Sequence, residues 1–211
     1  MRLILARHGE TESNRERLAL GRQDIPLNQT GHLQAQALAR CLQDVPLAAV
    51  YSSPLRRAYD TAQAIAEAHN QPVEVDEGLA EMDVGEMDGL SLVEMREIHG
   101  DLLRRWLGPE AATLHMPGGE SLQEVQDRAW DALRRIAERH PDGIVCAVSH
   151  NFTIHVLLCR ALGLPIVEFR RLRHDLAAVS VLDVSGDRVV LVRLNDTCHL
   201  EEQGLAERPL Y

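Results

Sequence analysis

The sequence predicts an α/β fold, a three-layer α/β/α sandwich around a mixed, mostly parallel six-stranded sheet. Short apolar runs of strand length alternate with longer stretches of helical periodicity. The last two runs follow each other across a tight turn, as the strands of an antiparallel hairpin do. The chain length of 211 residues fits one well-buried domain better than two small ones, so a single domain over 1–211 is expected.

Strands are expected over 3–6, 48–52, 72–75, 144–149, 178–184 and 188–194. Thr30 reads as the N-cap of a helix over 31–42, where Leu33, Ala37, Leu38, Cys41 and Leu42 recur at helical spacing. Ser53 reads as the cap of a second helix, with Pro54 at its first position and its end near His69. Ser121 and Glu124 form a capping box ahead of a long amphipathic helix that ends near His140-Pro141. A further helix is expected over 152–162, stopped by Gly163 and Pro165. Ser185-Gly186-Asp187 is the hairpin turn. No linker, repeat or low-complexity stretch interrupts the chain, and the polar tail over 201–211 is expected to be loosely held.

Composition narrows the function. The apolar fraction of 45% and charged fraction of 26% are those of a globular protein, and aromatics, at 3%, supply no platform for stacking bases. A formal charge of −10 disfavours DNA, RNA and anionic membranes, so no nucleic acid or membrane partner is expected and any anionic ligand needs a local positive pocket. All 22 basic residues are arginine. Without lysine there is no Schiff base, no pyridoxal phosphate linkage and no phosphate loop ending in Lys-Ser/Thr. Cys41, Cys146, Cys159 and Cys198 are far apart and lack C-x-x-C spacing, which reads as reduced thiols. No targeting pattern and no apolar stretch of about 18 residues stands in the sequence, so a cytoplasmic location is expected.

The chemistry starts at Arg7-His8-Gly9-Glu10, directly after the first strand. Arg7 offers a planar fork for phosphoryl oxygens, His8 a ring nitrogen that is nucleophilic at neutral pH, and Gly9 room for close approach of a ligand to the backbone. In a parallel sheet, ligands sit beyond the carboxyl ends of the strands. There the sequence places Arg7-His8 after one strand, Ser52-Ser53-Pro54 leading to Arg56-Arg57 after a second, and Ser149-His150-Asn151 after a third. His150 and His155 are five apart, which is not one helix face, so a metal pair is not expected.

Motifs in order along almost the whole chain carry a family resemblance. They are 3–14 (Leu3 through Asn14), Asp24-Ile25-Pro26-Leu27-Asn28-Gln29-Thr30-Gly31, Tyr51-Ser52-Ser53-Pro54-Leu55-Arg56-Arg57-Ala58 with Thr61-Ala62, Glu81 ahead of Gly85 and Gly89, Gly118-Gly119-Glu120-Ser121, and Val148-Ser149-His150. In these the chain resembles the histidine phosphatase superfamily, which includes cofactor-dependent phosphoglycerate mutases and many small phosphatases. The resemblance implies the phosphoglycerate mutase-like sandwich. It implies His8 as a nucleophile that becomes phosphohistidine, with Arg7, Arg57 and His150 on the transferring phosphoryl group and Glu81 as general acid and base. It also places Asn14, Asn151 and Gly21 around the phosphate or substrate.

Two departures bear on substrate. Asn151 stands where the family commonly has Gly, and the segment after Glu81 lacks the aromatic often found before Gly89. The lid, about 90–120, is short and has no lysine to grip a phosphoglycerate, which favours loss of the phosphoryl group to water. Arg104, Arg105, His115 and Met116 are its candidates for choosing substrate, although Arg104 and Arg105 equally fit the outer face of a helix. Arg170-Arg171-Leu172-Arg173-His174 is a solvated rim or a second substrate contact, and Cys198-His199 reads as structural. The expected function is a metal-independent phosphomonoesterase acting on small phosphorylated metabolites, without a cofactor. Its alternatives are a mutase that needs a bisphosphoglycerate primer and a non-catalytic module that binds a phosphorylated partner. A homodimer through an edge strand or helix is left open.

Overall fold

The computed structural model describes residues 1–201 and 203–206. Its sheet has six strands: β1 (Arg2–Arg7), β2 (Leu47–Ser52), β3 (Val73–Val75), β4 (Ile144–Ser149), β5 (Val179–Ser185) and β6 (Arg188–Asp196). They lie in the order β3-β2-β4-β1-β5-β6. The four strands from β3 to β1 are parallel, and β5 and β6 add antiparallel to β1, with Gly186 at φ 57° in their turn. The expected mixed, mostly parallel sheet is what forms.

Period-two alternation explains why both faces are covered. Leu3, Leu5, Tyr51, Val145 and Ala147 face one way, against Ala132, Leu133 and Ile136 of α5 (Leu122–Arg139) and Ile154 and Leu158 of α6 (Asn151–Ala161). Ile4, Ala6, Val50, Cys146 and Val148 face the other way, against Leu38 and Leu42 of α2 (Gln29–Leu42) and Ala62 and Ile65 of α3 (Arg56–Ala68). A short α1 (Glu12–Glu16), the lid helix α4 (Leu92–Trp106) and a final turn α7 (Cys198–Glu201) complete the helices. No helix among the described residues is long and apolar enough to cross a membrane.

Helix starts differ from expectation in instructive ways. Asn28, not Thr30, caps α2, its Oδ1 accepting from Gly31 N at 2.9 Å, while Thr30 already lies in the first turn. Ser53 does not cap α3, because its N–H still extends the sheet to Val148 O at 3.0 Å and its hydroxyl accepts from Leu55 N two residues on. The first amide of α3, Arg56 N, donates instead to the distant Asp24 Oδ1 at 2.7 Å. Leu33 and Cys41 are exposed, and the buried face of α2 runs through Gln34, Ala35, Ala37, Leu38 and Leu42. The Ser121–Glu124 capping box forms as expected, both partners reciprocating at the start of α5.

A satellite core roots the lid beside the carboxyl ends of the strands. Met82, Met87 and Met116 pack there with Val125, Val156 and Phe169, and Met95 and Trp106 of α4 lie against them. Methionine suits such a seam, since its unbranched thioether fills irregular gaps between elements. The expected loose tail over 201–211 lies mostly outside the described residues; within them Leu205 O accepts from Gln34 Nε2 at 3.0 Å.

Candidate active site

Neighbouring strands β1, β4 and β2 bring Arg7-His8, Ser149-His150 and Ser52-Ser53 to one edge of the sheet. Backbone pairing continues just past the strands, with His8 N donating to Ser149 O at 3.1 Å. The loops leaving the strands therefore start from fixed positions. Gly9 is tight for a different reason from the expected ligand approach: a Cβ there would come 2.6 Å from Gly31 O, so it lets β1 turn directly against α2.

His8 is buried, and its Nδ1 lies 2.7 Å from Gly9 O. A carbonyl only accepts, so the neutral ring carries its proton on Nδ1 and its lone pair on Nε2. Burial, then the charges of Arg57 and Arg7, hold the His8 pKa well below 6.5, and the ring is neutral at pH 7. The fully buried His150 ring lies 5.0 Å away, centroid to centroid, and its pKa is held well below 6.5 by the same burial and cations. His150 Nε2 is 2.6 Å from Ser53 Oγ, which already accepts from Leu55 N; its Nδ1 has no protein partner. With the Ser53 hydroxyl donating to Nε2, Nδ1 of His150 becomes a donor.

Arg57 is entirely buried; its Nη1 and Nη2 donate to Gln23 O and Gly21 O, both at 2.8 Å, while Nε has no protein partner. Burial pushes its pKa down to about 10, with Glu81, Asp88 and Asp24 opposing, so it stays cationic at neutral pH. Gly21 thus serves through its carbonyl, which holds Arg57. Arg7 Nη1 donates to His174 O at 2.8 Å. Asn14 Oδ1 accepts from Thr11 N and Thr11 Oγ1, which commits the oxygen and leaves the Nδ2 donors for other work. Asn151 opens α6 directly after His150.

Glu81 is buried, and its carboxylate sits at the start of α6. Oε1 accepts from Met82 N at 2.8 Å and from Thr153 N at 3.3 Å, and Oε2 accepts from Phe152 N at 3.2 Å. Its backbone is held from α5: Arg128 donates to the carbonyls of Gly78, Ala80 and Glu81 at 2.7 to 3.0 Å. The remaining donors of Arg128 go to Glu120, whose Oε2 also accepts from Asp83 N at 2.8 Å. A Cβ on Gly119 would come 2.3 Å from Asp83 O, so the Gly-Gly-Glu-Ser segment docks backbone against backbone on the Glu81 loop.

Sequence reasoning missed Arg128 and the Ser53 contact to His150. Ser53 lies inside a motif but has the pattern of a helix cap; Arg128 carries no signal, being one of four arginines on an amphipathic helix. The four lid candidates are not brought to the site. Arg104 pairs with Asp101, Arg105 with Glu110 at 2.7 Å and His115 with Glu124 at 2.9 Å, all at the surface, and Met116 is buried in the satellite core. Within the lid, Trp106 turns inward: its ring lies 5.6 Å from both Phe152 and Phe169, with Arg170 stacked over it at 4.4 Å. Among the described residues, no group of three or more His, Cys, Asp or Glu side chains gathers as a metal site.

Known proteins resemble the chain over nearly its whole length. Phosphoserine phosphatase 1 of Hydrogenobacter thermophilus is 37% identical over 202 residues, covering 96% of this chain and 95% of that protein. The solved Bacillus stearothermophilus YhfR superposes with a TM-score of 0.87 at 30% identity, over 94% of this chain and 98% of that one. A mycobacterial glucosyl-3-phosphoglycerate phosphatase, solved with VO3, superposes with a TM-score of 0.85 at 29% identity, over 93% and 99%. Residues 3–197 match the histidine phosphatase superfamily (branch 1), and with relatives this similar over nearly their whole length the chain belongs to that superfamily.

Proposed function

We propose that the chain is a phosphomonoesterase that hydrolyses small phosphorylated metabolites through a phosphohistidine on His8, with no metal or cofactor. The observation that carries this is the Nδ1 contact of His8 to Gly9 O, which leaves an unprotonated Nε2 beside two guanidinium groups. Nε2 attacks phosphorus, the ester P–O bond breaks, and Glu81 gives its proton to the leaving alkoxide. Glu81 then takes a proton from water; the water oxygen attacks phosphorus, the N–P bond breaks, and inorganic phosphate leaves a neutral His8. Charge on the equatorial oxygens is met by Arg7, Arg57, His150 Nδ1, Asn14 Nδ2 and the Asn151 amide. Relatives named as phosphoserine and glucosyl-3-phosphoglycerate phosphatases support a hydrolase over a mutase. Four free thiols, two of them exposed, support a reducing, cytoplasmic setting. A homodimer would use β6, the edge strand that exposes Val190, Val192 and Leu194.

A paired assay with EDTA present tests this reading. Phosphate release is followed on a panel of phosphomonoesters, and interconversion of 3- and 2-phosphoglycerate is followed with and without bisphosphoglycerate. Release without interconversion, undiminished by EDTA, is the expected result. Primer-dependent interconversion with little release would make the protein a mutase, and activity lost to EDTA and restored by zinc or magnesium would make it a metalloenzyme.

A further inference from the structure

We propose that Asp88 is a positioning residue for the phosphoryl site: it holds the segment 21–23, and through that segment the Arg57 guanidinium, without pairing with the cation directly. This rests on the phosphomonoesterase reading of the site and adds a residue to its machinery.

Two pairs of hydrogen bonds carry the inference. Asp88 Oδ1 accepts from Gly21 N and Oδ2 from Gln23 N, both at 2.9 Å. The same two residues offer their carbonyls to Arg57, Gly21 O accepting from Nη2 and Gln23 O from Nη1, both at 2.8 Å. Gly21 and Gln23 therefore stand between a carboxylate and a guanidinium, each bonded to both. An ionised carboxylate accepts through both oxygens and donates nothing, so it fits two N–H groups spaced two residues apart.

The segment depends on this grip, while Asp88 does not. Residues 21–23 belong to no helix or strand, and among the described residues neither Gly21 nor Gln23 has a hydrogen bond to another backbone group. Asp88 stands on a rooted support. Its own N–H reaches Gly85 O at 3.0 Å, and Met87 beside it is buried in the satellite core. Directly after it, Gly89 N donates to Ala19 O and Leu90 O accepts from Ala19 N, both at 2.8 Å. A Cβ on Gly21 would come 2.7 Å from Val84 Cγ2 and 2.9 Å from Met82 O, so the segment lies against the loop that carries Glu81.

Electrostatics explains why the carboxylate acts at one remove. An acidic side chain bonded straight to Arg57 would occupy its donors and cancel charge that the phosphoryl oxygens need. Held by two neutral carbonyls, the buried Arg57 keeps its charge, and Nε, which has no protein partner, stays open to those oxygens. The Asp88 charge also opposes the burial that lowers the Arg57 pKa, as do those of Glu81 and Asp24.

A double-mutant cycle of Asp88→Asn and Arg57→Ala tests the proposal. Its readouts are kcat/KM on an activated aryl phosphate and the affinity for inorganic phosphate by titration calorimetry. Asparagine keeps one acceptor and turns an NH2 donor toward the other N–H, so one of the two anchors is lost. Asp88→Asn alone should lower both readouts by about tenfold, less than the roughly 10²–10³-fold fall in kcat/KM expected of Arg57→Ala. The fall should be alike for aryl and alkyl esters, because Arg57 meets phosphoryl oxygens and not the leaving group. Added to Arg57→Ala, the substitution should change either readout by less than about twofold, since the grip it loosens no longer holds a guanidinium. Asp88→Glu keeps the charge and both acceptors and should lose less. That smaller loss should also vanish in the Arg57→Ala background, which decides the question if Asp88→Asn is too unstable to assay. Losses that multiply in the double variants, or no loss from either substitution at Asp88, would overturn the positioning role and leave hydrolysis by the wild type standing. A wild type that hydrolyses no ester and binds no phosphate would remove the phosphomonoesterase reading and the positioning role with it.

Discussion

A single carbonyl decides the protonation of His8. Gly9 O accepts from Nδ1, and this leaves the lone pair on Nε2 at any pH where the ring is neutral. Burial and the two arginines extend that range downward, so His8 should stay unprotonated well below pH 6.5. An NMR titration of the His8 ring checks this: the free enzyme should show no midpoint near 6.5, and Arg57→Ala should bring the midpoint up. His8→Ala should cost on the order of 10³-fold or more in turnover with the fold intact, as losing a nucleophile does. Glu81→Gln separates the two roles of the site. For alkyl esters, whose leaving group needs a proton, the loss should be about 10²–10⁴-fold, against a much smaller loss for activated aryl phosphates. Equal losses on both would remove Glu81 from the acid role.

At the scale of elements, α5 works at a distance. Its Arg128 spends its donors on three carbonyls of the Glu81 loop and on Glu120, which ties the loop to the segment that follows the lid. Arg128→Met should therefore slow alkyl esters more than aryl phosphates, reproducing the leaving-group dependence of Glu81→Gln in weaker form, and Arg128→Lys should restore part of it. A uniform loss across leaving groups would mean that Arg128 only stabilises the fold. None of this could be read beforehand. Arg7, His8, Arg57, Glu81 and His150 were legible because each sits at a strand end or in a motif, and strand ends follow from apolar runs of the right length. Arg128 meets Glu81 only because α5 packs under the loop, a contact between distant parts of the chain. The misread start of α3 has the same origin: Asp24, 32 residues from Arg56, supplies what Ser53 was expected to supply. The lid residues failed for the opposite reason, since Arg104, Arg105 and His115 find acidic partners within a few residues or across the surface and have no cause to turn inward.

Across the whole molecule the four buried histidines act together on stability. His8, His150, His155 and His174 all have pKa values below 6.5 in the folded protein, the last two at about 4 and about 3. Above pH 6.5 folded and unfolded rings are both neutral, and the histidines leave stability independent of pH. As pH falls below 6.5 the unfolded chain takes up protons that the folded chain refuses, so stability declines, by up to about 1.4 kcal/mol per pH unit for each ring. Each ring adds to the decline until the pH reaches its own folded value, which is about 4 for His155 and about 3 for His174. Depressed carboxylates such as Glu124, held at about 2 by its Ser121 hydrogen bonds, lose their contribution in the same direction but only below their unfolded value of 4.5. The window from 6.5 to 4.5 thus belongs to the histidines. Thermal melts followed by circular dichroism should show stability falling between pH 6.5 and 4.5, and His155→Leu with His174→Leu should make that fall shallower. Stability that stays flat down to pH 4.5 would mean that these rings take up protons in the folded protein as readily as in the unfolded chain.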